Sequence, residues 1–242
     1  MTTGRRSAGY QMMLVGLLSL NFGILFFDRN ALNFLMPFVQ PDLKLSDTQV
    51  GLLSSGLSLT WAIAGFMVGR ISDKLGSRKP VIVIATIAFC LCSVVSGLAH
   101  SFLMLLGARI LMGLAEGGVM PVSHSIIAAE VDEERRGLAM GVGQNLGSNV
   151  LGSAVAPLVL VPVAMAYGWR DAFYLAAIPG LISAAIIWFF VKEPSADEVS
   201  HGDTPKATLA EAFADRNVQL CAVISVLLVS YLVCCWAFMR SI

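Results

Sequence analysis

The stretch GRISDKLGSRK, from Gly69 to Lys79, decides how this chain is organised because it separates two long apolar segments with clustered charge. A single acid, Asp73, lies among four basic residues: Arg70, Lys74, Arg78 and Lys79. Pro80 then opens the next apolar run, at a position where proline is tolerated in a helix. Since Lys and Arg accumulate in the cytoplasmic loops of membrane proteins, the stretch predicts a tight cytoplasmic turn between two membrane helices.

The composition of the whole chain agrees with a membrane protein. Of its 242 residues, 57% are hydrophobic and 13% are charged, and the mean hydropathy is +0.77. A soluble domain carries roughly a quarter charged residues. The formal net charge is zero, and the charged residues crowd into a few short connections between apolar runs. Nucleic acid is therefore not an expected partner, whereas the lipid bilayer is.

Seven apolar segments are long enough to cross a bilayer, for which a helix needs about 20 residues. They are predicted at residues 11–36, 48–69, 80–99, 101–128, 137–165, 171–191 and 217–239. The first segment follows Arg5 and Arg6 as a signal peptide would, but it is too long, contains Asp28 and Arg29, and lacks a small-residue cleavage pattern. The chain is therefore predicted to be an all-α, multi-pass membrane protein.

Lys and Arg residues set the predicted orientation of these segments. If the segments alternate in direction and the N-terminus is cytoplasmic, eleven of the 16 Lys and Arg residues fall on the cytoplasmic side. Lys44, Arg170 and Arg240 then lie on the outer side. This orientation makes three connections cytoplasmic: the Gly69–Lys79 turn, the Glu130–Gly137 turn and the Glu193–Arg216 connection.

Four ionisable residues lie deep inside the apolar segments: Asp28 and Arg29 in segment one, and Arg109 and Glu116 in segment four. A charge near the bilayer centre costs about 2.5–3.5 kcal/mol on insertion scales, so four isolated charges would cost on the order of 10 kcal/mol. We therefore expect these side chains to face the bundle interior and to pair across helices. Arg109, Gly113 and Glu116 are spaced i, i+4, i+7 and share one helix face, with the glycine opening space between the charges.

The sequence offers little for catalysis or metal binding. The five cysteines lie in apolar segments without histidines at ligand spacing, so we expect packing rather than a metal site or disulfide framework: Cys90, Cys92, Cys221, Cys234 and Cys235. His124 has serine neighbours, but neither a nucleophile elbow nor a partner acid accompanies it. We expect the protein not to be an enzyme and to use no cofactor.

The Gly69–Lys79 stretch resembles the signature loop between the second and third helices of the major facilitator superfamily. The matching residues are Gly69, Asp73, Lys74, Gly76, Arg78 and Lys79. The resemblance implies a transporter of two six-helix halves, each built from 3+3 inverted repeats. It also implies that the motif controls gating, with Asp73 capping an interface with a helix of the second half.

Compared with this fold, the chain divides into three parts. Residues 1–192 are predicted to form the N-terminal six-helix bundle, residues 193–216 a cytoplasmic linker rich in Pro, Gly and charge, and residues 217–242 the first helix of the second bundle. A short surface helix is expected over Thr208–Arg216. The chain thus resembles slightly more than half of a twelve-helix transporter, and we expect it to be a fragment or a truncated reading frame.

A narrower resemblance rests on helices one and four. Asp28-Arg29, together with the run from Arg109 to Glu116, is similar to the anion:cation symporter family, which takes up sugar acids, dicarboxylates and aromatic acids in bacteria. The resemblance implies that Arg29 and Arg109 bind the substrate carboxylate. It implies that Asp28 and Glu116 carry the coupling proton, and that the protein lies in the bacterial inner membrane. The helix-five Gly-Pro signature of drug antiporters is missing, which favours anion uptake over drug export.

Two polar pairs in segment five are further candidates for the site. Gln144 and Ser148, and likewise Asn145 and Asn149, are spaced i, i+4 on the predicted helix. One pair is expected to line the cavity, so Gln144 and Asn145 are candidate substrate ligands. The alternative for each pair is a polar bridge to a neighbouring helix.

Charge balance predicts the mechanism. The four ionised groups sum to zero, so an incoming carboxylate would leave the site negative, and protonation of one buried acid would restore neutrality. Anion and proton should then bind cooperatively, and this linkage is reciprocal. The predicted function is proton-coupled symport of a small organic anion, with the proton gradient as the energy source.

Other interpretations remain open at the level of sequence. The two buried arginines, or Asp28, could form structural ion pairs that hold helices one and four together. The protein could also be an exchanger or exporter of the same superfamily. A third alternative is a non-transporting fragment whose site lacks the helices of the second half.

Overall fold

The computed structural model describes residues 7–193 and 214–239, without the side chains of residues 73–75, 229–230 and 232–239. The chain divides into two compact units, Met1–Val199 and Ser200–Ile242. The boundary falls inside the predicted linker 193–216. Most of that linker, including most of the expected surface helix Thr208–Arg216, lies outside the described residues.

Six helical spans in the first unit are long and apolar enough to cross a membrane. Span 1 is Ala8–Asp42, span 2 is Asp47–Leu75, span 3 is Lys79–Gly97, span 4 is Phe102–Glu130, span 5 is Glu133–Tyr167 and span 6 is Trp169–Phe190. The second unit contains a helix over Arg216–Met239. Every predicted segment overlaps one of these helices, and the described residues form no strand, so the all-α prediction is confirmed.

Polar side chains begin the first two spans. Ser7 Oγ accepts a hydrogen bond of 3.3 Å from the Tyr10 amide. At span 2, the Gln49 amide donates to Ser46 Oγ at 3.3 Å, and the Ser46 amide donates to Gln49 Oε1 at 2.9 Å. This reciprocal capping box satisfies amide groups that have no partner inside the helix.

Both predicted cytoplasmic turns are shorter in the structure than in the prediction. Span 2 continues through most of the Gly69–Lys79 stretch, and Gly76 ends it in the left-handed conformation, with φ of +64°. Glycine adopts this conformation without a steric penalty and commonly ends helices. The Glu130–Gly137 stretch is mostly helical as well, because span 5 begins at Glu133. Glu133 and Glu134 lie in its first turn, where the helix dipole favours negative charge.

Spans 4 and 5 are not the uninterrupted α-helices that the sequence predicted. Span 4 consists of two helices, Phe102–Gly117 and Val119–Glu130, which meet at Gly118. Span 5 has α-helical ends, Glu133–Gly141 and Ala156–Tyr167, and two π-helical segments between them, Val142–Leu146 and Ser148–Val155. The wider π-helical winding is rare and occurs frequently at functional sites.

Span 1 contacts the backbone of span 5 along this π-helical region. Ser19 Oγ donates to the Val142 carbonyl and Asn30 Nδ2 donates to the Gly152 carbonyl, both at 3.0 Å. The Gly147 amide donates to Ser19 Oγ at 3.2 Å, and a side chain at position 147 would collide with the Ser19 backbone. Side chains of span 1 therefore take part in the backbone hydrogen bonding of span 5.

The pairing of the spans shows the predicted internal symmetry. Span 1 packs most extensively on span 5, span 2 on span 4, and span 3 on span 6. Suppose that span 1 is exchanged with span 4, span 2 with span 5 and span 3 with span 6. The 1–5 pairing then becomes the 4–2 pairing, and the 3–6 pairing is unchanged. The 1–6 and 3–4 pairings are exchanged in the same way. Because each repeat holds three spans, the two repeats run in opposite directions, as in inverted-repeat transporters.

Spans 2 and 4 approach closely because small residues lie between them. Gly113 lies against the Thr60 side chain and the Leu57 carbonyl, where a Cβ atom would collide with both. Gly117 lies four residues on, and this Gly-x-x-x-Gly spacing allows membrane helices to pack with their backbones near each other. The expectation that Gly113 opens space between two charges is wrong, because span 2 fills the space beside it.

Apolar side chains fill the bundle and also cover its outside. One buried cluster lies around Leu18 and Phe89, and a second lies around Leu35. Other large apolar side chains point outward, among them Leu158, which is 75% exposed, and Phe189, which is 79% exposed. A soluble protein rarely exposes so much apolar surface, whereas a bundle surrounded by lipid requires it.

Candidate functional site

Arg29 and Glu116 form an ion pair between spans 1 and 4. Arg29 Nη1 lies 3.9 Å from Glu116 Oε2. The Glu116 side chain is fully buried, and its two carboxylate oxygens have no hydrogen-bond partner within the described part of the chain. The Arg29 side chain is 19% exposed. The expected pairing of intramembrane charges across helices is confirmed for these two residues.

Two aromatic rings flank the Arg29 guanidinium. Its Cζ atom lies 5.1 Å from the centroid of the Trp61 ring on span 2 and 5.7 Å from that of Phe26. A cation over an aromatic face is stabilised electrostatically, and more strongly where water is absent. The rings hold the guanidinium beside Glu116 while part of it faces open space, so an anion can reach Arg29.

Arg109 is a buried cation, and most of its donors have no oxygen partner in the described part of the chain. The residue is 1% exposed, and its Cζ atom lies 5.2 Å from the Phe173 ring centroid. Arg109 Nη1 contacts the Met112 sulfur at 3.3 Å, whereas Nε and Nη2 have no hydrogen-bond partner among the described residues. Arg109 interacts electrostatically with Asp28 and Glu116. These donors, which have no oxygen partner among the described residues, are suited to bind an anion.

Both arginines line one pocket between spans 1, 2 and 4. The pocket has a volume of about 180 Å³. Its lining residues are Arg29, Leu32, Asn33, Leu53, Ser54, Leu57, Ser58 and Arg109. It therefore combines two cations with hydroxyl, amide and apolar groups, which is the surface that a small organic anion requires.

Asp28 faces the interior of the bundle rather than this pocket. It is fully buried, and its Oδ1 accepts a hydrogen bond of 2.5 Å from Ser93 Oγ on span 3. Ser93 Oγ also lies 3.2 Å from the Phe173 carbonyl of span 6. Asp28 Oδ2 has no hydrogen-bond partner in residues 7–193 and 214–239. The two acids of the site thus occupy different surroundings.

A second polar cluster joins spans 1, 3 and 6, which also meet at Asp28. We call the two sets of contacts the Asn21 layer and the Asp28 layer. Asn21, seven residues before Asp28, is fully buried. Its Oδ1 accepts hydrogen bonds from Thr86 Oγ1 at 3.3 Å and from Ser183 Oγ at 2.9 Å. Thr86 lies seven residues before Ser93, so each layer is a contact of spans 1, 3 and 6. One layer contains an ionisable group and the other does not.

Gln144 and Asn145 do not lie in the pocket of the arginines. Gln144 is half-buried and lines a separate small cavity that also contains His124. Asn145 is exposed, and its Nδ2 donates to the Gly141 carbonyl of its own helix at 3.2 Å. Their proposed role as substrate ligands remains a prediction, which would require a further wall of the cavity to bring them near the anion.

Metal ligation finds little support in the side chains that the structure describes. Within these residues no group of three or more His, Cys, Asp or Glu side chains is placed to hold a metal ion. Cys90, Cys92 and Cys221 are free thiols. The Cys234 and Cys235 side chains lie outside the described part.

Comparison with known proteins identifies the family. The family model described as Major Facilitator Superfamily matches residues 18–241. The chain belongs to this superfamily. A solved structure, a bacterial homolog of the human lysosomal transporter Spinster in an inward-facing, unoccupied conformation, is similar with a TM-score of 0.71. It is 24% identical, and the match covers 87% of this chain and 48% of that chain, so the likeness shows the fold alone.

Several major facilitator relatives are similar in sequence. A hexuronate transporter of Bacillus subtilis (strain 168) is 36% identical over 75% of this chain and 42% of that protein. A probable 4-methylmuconolactone transporter of Cupriavidus pinatubonensis (strain JMP 134 / LMG 1197) is 34% identical over 88% and 50%. Multidrug resistance protein MdtL of Salmonella typhi is 25% identical over 75% and 45%. The chain spans about half the length of these relatives, which are named for transport and resistance and not for an enzyme activity.

The major facilitator motif lies where span 2 ends and span 3 begins. The Glu193 carboxylate accepts hydrogen bonds from the Arg78 and Lys79 amides, the latter at 3.0 Å, and so caps span 3. Arg78 Nη1 donates to the Ser125 carbonyl of span 4 at 3.3 Å. The motif therefore ties the ends of three spans together. The Asp73 and Lys74 side chains lie outside the described part, so the expected interface of Asp73 remains a prediction.

Sequence reasoning missed several residues around the charges. Trp61 on span 2 contacts the Arg29 guanidinium, and Ser54 and Ser58 line the pocket. Ser93 bonds to Asp28. Single hydroxyl groups in apolar segments carry little signal by themselves. The i, i+4 spacing of the two serines, and the i, i+7 spacing of Thr86 and Ser93, were the patterns that could have identified them.

Proposed function

We propose that this chain supplies the anion-binding half of a secondary transporter, which couples the entry of a small organic anion to the entry of protons by alternating access. The observation that carries the proposal is the pocket shared by Arg29 and Arg109. One arginine is paired with a buried acid, and the other keeps donors without an oxygen partner among the described residues. The site therefore has positive charge and hydrogen-bond donors with which to bind an anion.

The coupling follows from the Arg29–Glu116 pair. A substrate carboxylate that binds Arg29 competes with Glu116, which is fully buried and loses its cation when the anion binds. An ionised carboxylate without a partner is costly to keep in an apolar interior, so anion binding favours protonation of this acid. Because binding linkage is reciprocal, a proton on Glu116 also favours the anion. Asp28 is the proposed site of a second proton for a different reason: it is fully buried, where an ionised carboxylate is costly, and it does not line the pocket.

The substrate class is a small organic anion with a carboxylate. A planar guanidinium matches a carboxylate with two parallel hydrogen bonds. Asn33, Ser54 and Ser58 offer polar contacts to the rest of the molecule, while Leu32 and Leu57 offer apolar ones. The Bacillus relative is named for a hexuronate, which is a carboxylate of this kind.

We also propose how the chain is oriented in the membrane and which helices complete the cavity. The N-terminus lies in the cytoplasm, because this places eleven of the 16 Lys and Arg residues on the cytoplasmic side. The membrane is the bacterial plasma membrane. Helices of a second half complete the cavity opposite spans 1, 2 and 4, since the relatives are about twice as long as their match to this chain.

The first experiment is the intact mass of the protein as its native cell makes it, against the 25.8 kDa of this chain. A mass near twice this value identifies the chain as the N-terminal part of a longer transporter. A mass equal to that of the chain favours the non-transporting fragment, unless a second polypeptide supplies the remaining helices.

The second experiment measures transport by the native full-length protein in right-side-out membrane vesicles. Labelled glucuronate, a hexuronate, is offered with an inward proton gradient, and a protonophore is the control. We expect the gradient to drive accumulation and the protonophore to abolish it. Accumulation that ignores the protonophore would contradict proton coupling, and uptake that requires preloaded anion would identify an exchanger.

The multidrug relative defines a second candidate, drug export. The pocket argues against it, because two arginines that face one cavity repel the cationic compounds that many exporters handle. The same vesicles, turned inside out, test this alternative with an organic cation. Proton-driven accumulation of the cation, without accumulation of glucuronate, would replace the anion proposal with export.

A further inference from the structure

Ser93 lies between two hydrogen-bond acceptors that belong to different spans. Its Oγ is 2.5 Å from Asp28 Oδ1 on span 1 and 3.2 Å from the Phe173 carbonyl on span 6. Ser93 and Asp28 are both fully buried. A serine hydroxyl carries one proton and two acceptor lone pairs, so it can donate to only one of these oxygens at a time.

The choice between the two acceptors depends on the charge of Asp28. An ionised carboxylate is the stronger acceptor, so the hydroxyl proton points to Asp28 Oδ1. A protonated Asp28 instead donates its own proton to Ser93 Oγ, which leaves the serine proton for the Phe173 carbonyl. Both states are fully hydrogen-bonded at Ser93, and they differ in whether span 3 donates to span 1 or to span 6.

The remaining groups around Asp28 do not offer this exchange. Arg109 and Glu116 on span 4 act on Asp28 through their charges, and Cys90 and Cys92 are the titratable groups of span 3 near it. Span 6 contributes the Phe173 carbonyl, which does not titrate. Arg29 is the neighbouring charge on span 1. Among the described residues, Ser93 is the group that hydrogen-bonds Asp28 directly.

The neighbouring layer provides a comparison within the same molecule. At Asn21, the Ser183 hydroxyl of span 6 donates to the amide oxygen at 2.9 Å. The Thr86 hydroxyl of span 3 lies 3.3 Å from the same oxygen and 2.8 Å from the Ile82 carbonyl of its own helix. An amide does not change its charge, so neither hydroxyl has to turn in response to a protonation of Asn21. The two layers join the same spans, and the direction of hydrogen bonding can change with pH in the Asp28 layer alone.

We propose that Ser93 is a positioning residue for the proton-carrying acid Asp28, and that its hydroxyl turns from Asp28 to the Phe173 carbonyl of span 6 when Asp28 becomes protonated. The inference rests on the proposed function, in which Asp28 carries a coupling proton. It adds the route by which protonation in span 1 changes the contact between spans 3 and 6. These two spans pack on each other across the repeat symmetry, so their contact is well placed to respond to the proton.

The test is an infrared pH titration of the full chain reconstituted in lipid, which requires no transport. The carboxyl C=O band of protonated Asp28 is assigned by its loss in Asp28→Asn. In Ser93→Ala the ionised form loses a charge-assisted hydrogen bond, so we expect the pH at which the band is half lost to rise by about 1–2 units. The band should also move to higher wavenumber, because the protonated acid loses its acceptor.

Two controls separate a positioning role from packing. Ser96→Ala removes a buried hydroxyl of the same span that donates to the Cys92 carbonyl of its own helix at 2.8 Å, and it should leave the Asp28 band unchanged. Ser93→Thr and Ser93→Val have the same shape, so the threonine variant should titrate like the native chain and the valine variant like Ser93→Ala. This pair keeps the test decisive if Ser93→Ala folds poorly.

The outcomes distinguish this inference from the proposed function. An unshifted band in Ser93→Ala, an equal shift in Ser96→Ala, or the absence of any titrating Asp28 band would overturn the role of Ser93. If the band shifts as expected while glucuronate uptake does not depend on the proton gradient, the role of Ser93 is supported and proton-coupled symport is contradicted. If uptake is proton-driven and the band stays in place, symport stands and the inference fails.

Discussion

Asp28 and Glu116 are both fully buried acids, yet their surroundings differ in the partner that each one has. Glu116 faces Arg29, a cation that is partly exposed and lines the pocket. Asp28 faces a serine hydroxyl and two spans that lie behind the pocket. One acid is therefore in direct competition with a substrate anion, and the other is not.

The two acids can therefore have different roles, although the sequence analysis predicted proton coupling for both of them. An acid paired with a substrate-binding arginine links proton binding to anion binding at the same atoms. An acid bonded to a neighbouring span can link proton binding to the packing of the bundle. Coupled transport requires both kinds of linkage, because the proton has to affect the affinity of the site and the conformation that exposes it.

The largest effect is expected at Arg109, which interacts electrostatically with both acids. In Arg109→Met we expect the affinity for glucuronate to fall about 10- to 100-fold or more, since charge-assisted hydrogen bonds to the anion are lost. The thermal stability should change little, because Asp28 and Glu116, which both lose the charge of Arg109, can become neutral by taking up protons. Binding and thermal unfolding are measured on the same preparations.

The control for Arg109 is Arg170→Met at the end of the bundle. Arg170 Nη1 lies 2.8 Å from Asp42 Oδ2, and both side chains are partly exposed. Its removal should leave glucuronate binding unchanged. If Arg109→Met binds normally but unfolds at a lower temperature, Arg109 is a structural residue and the alternative of an internal ion pair is correct.

The next largest effect separates the two acids. Glu116→Gln releases Arg29 from its carboxylate, so glucuronate should bind with an affinity that varies little with pH, and proton-driven accumulation should be lost while exchange continues. Asp28→Asn keeps the Arg29–Glu116 pair, so the affinity should change by less than a few-fold while accumulation is also lost. Binding at two pH values and counterflow exchange are measured for both variants. Equal changes of affinity in the two variants would remove the distinction between the acids.

Much of the fold could be predicted from the sequence because apolar length alone identifies membrane helices. The charged Gly69–Lys79 stretch located one connection, and Gly76 ends span 2 within it. The π-helical winding of span 5 was not predicted, and neither was the close contact of Gly147 with the Ser19 backbone in the same region. Such a contact between distant parts of the chain leaves no periodic pattern in either segment.

The charged residues of the site could also be predicted, since each charge inside an apolar segment needs a reason. Their partners could not. The sequence does not show that Trp61 lies over Arg29, or that Asp28 turns to Ser93 and away from the pocket. Spacing on one helix fixes the face of a residue, whereas the group that it meets depends on how the helices are rotated and packed.

A smaller effect tests the packing that holds the Glu116 side of the comparison. In Gly113→Ala a Cβ atom would collide with Thr60 and Leu57, so spans 2 and 4 must move apart, at a cost of about 1–3 kcal/mol. The matched control is Gly107→Ala on the same span, where the Cβ atom would meet no atom within 4 Å and helix propensity predicts a gain of about 1 kcal/mol. Thermal unfolding in lipid should therefore shift in opposite directions. A loss of equal size in both variants would contradict the close contact of spans 2 and 4.

The smallest effect is expected in the Asn21 layer, which joins the same spans as the Asp28 layer. Ser183→Ala removes the hydrogen bond of 2.9 Å to Asn21 Oδ1 and should lower the stability by about 1 kcal/mol. The loss stays small because the Thr86 hydroxyl, which also lies 2.8 Å from the Ile82 carbonyl, can donate to this oxygen instead. Adding Thr86→Val leaves the buried oxygen without either bond, so the double variant should lose more than the two single variants together. Neither change should alter the pH dependence of glucuronate binding. If Ser183→Ala did shift that dependence, the Asn21 layer would take part in coupling, and the contrast between an ionisable layer and a structural layer would have to be abandoned.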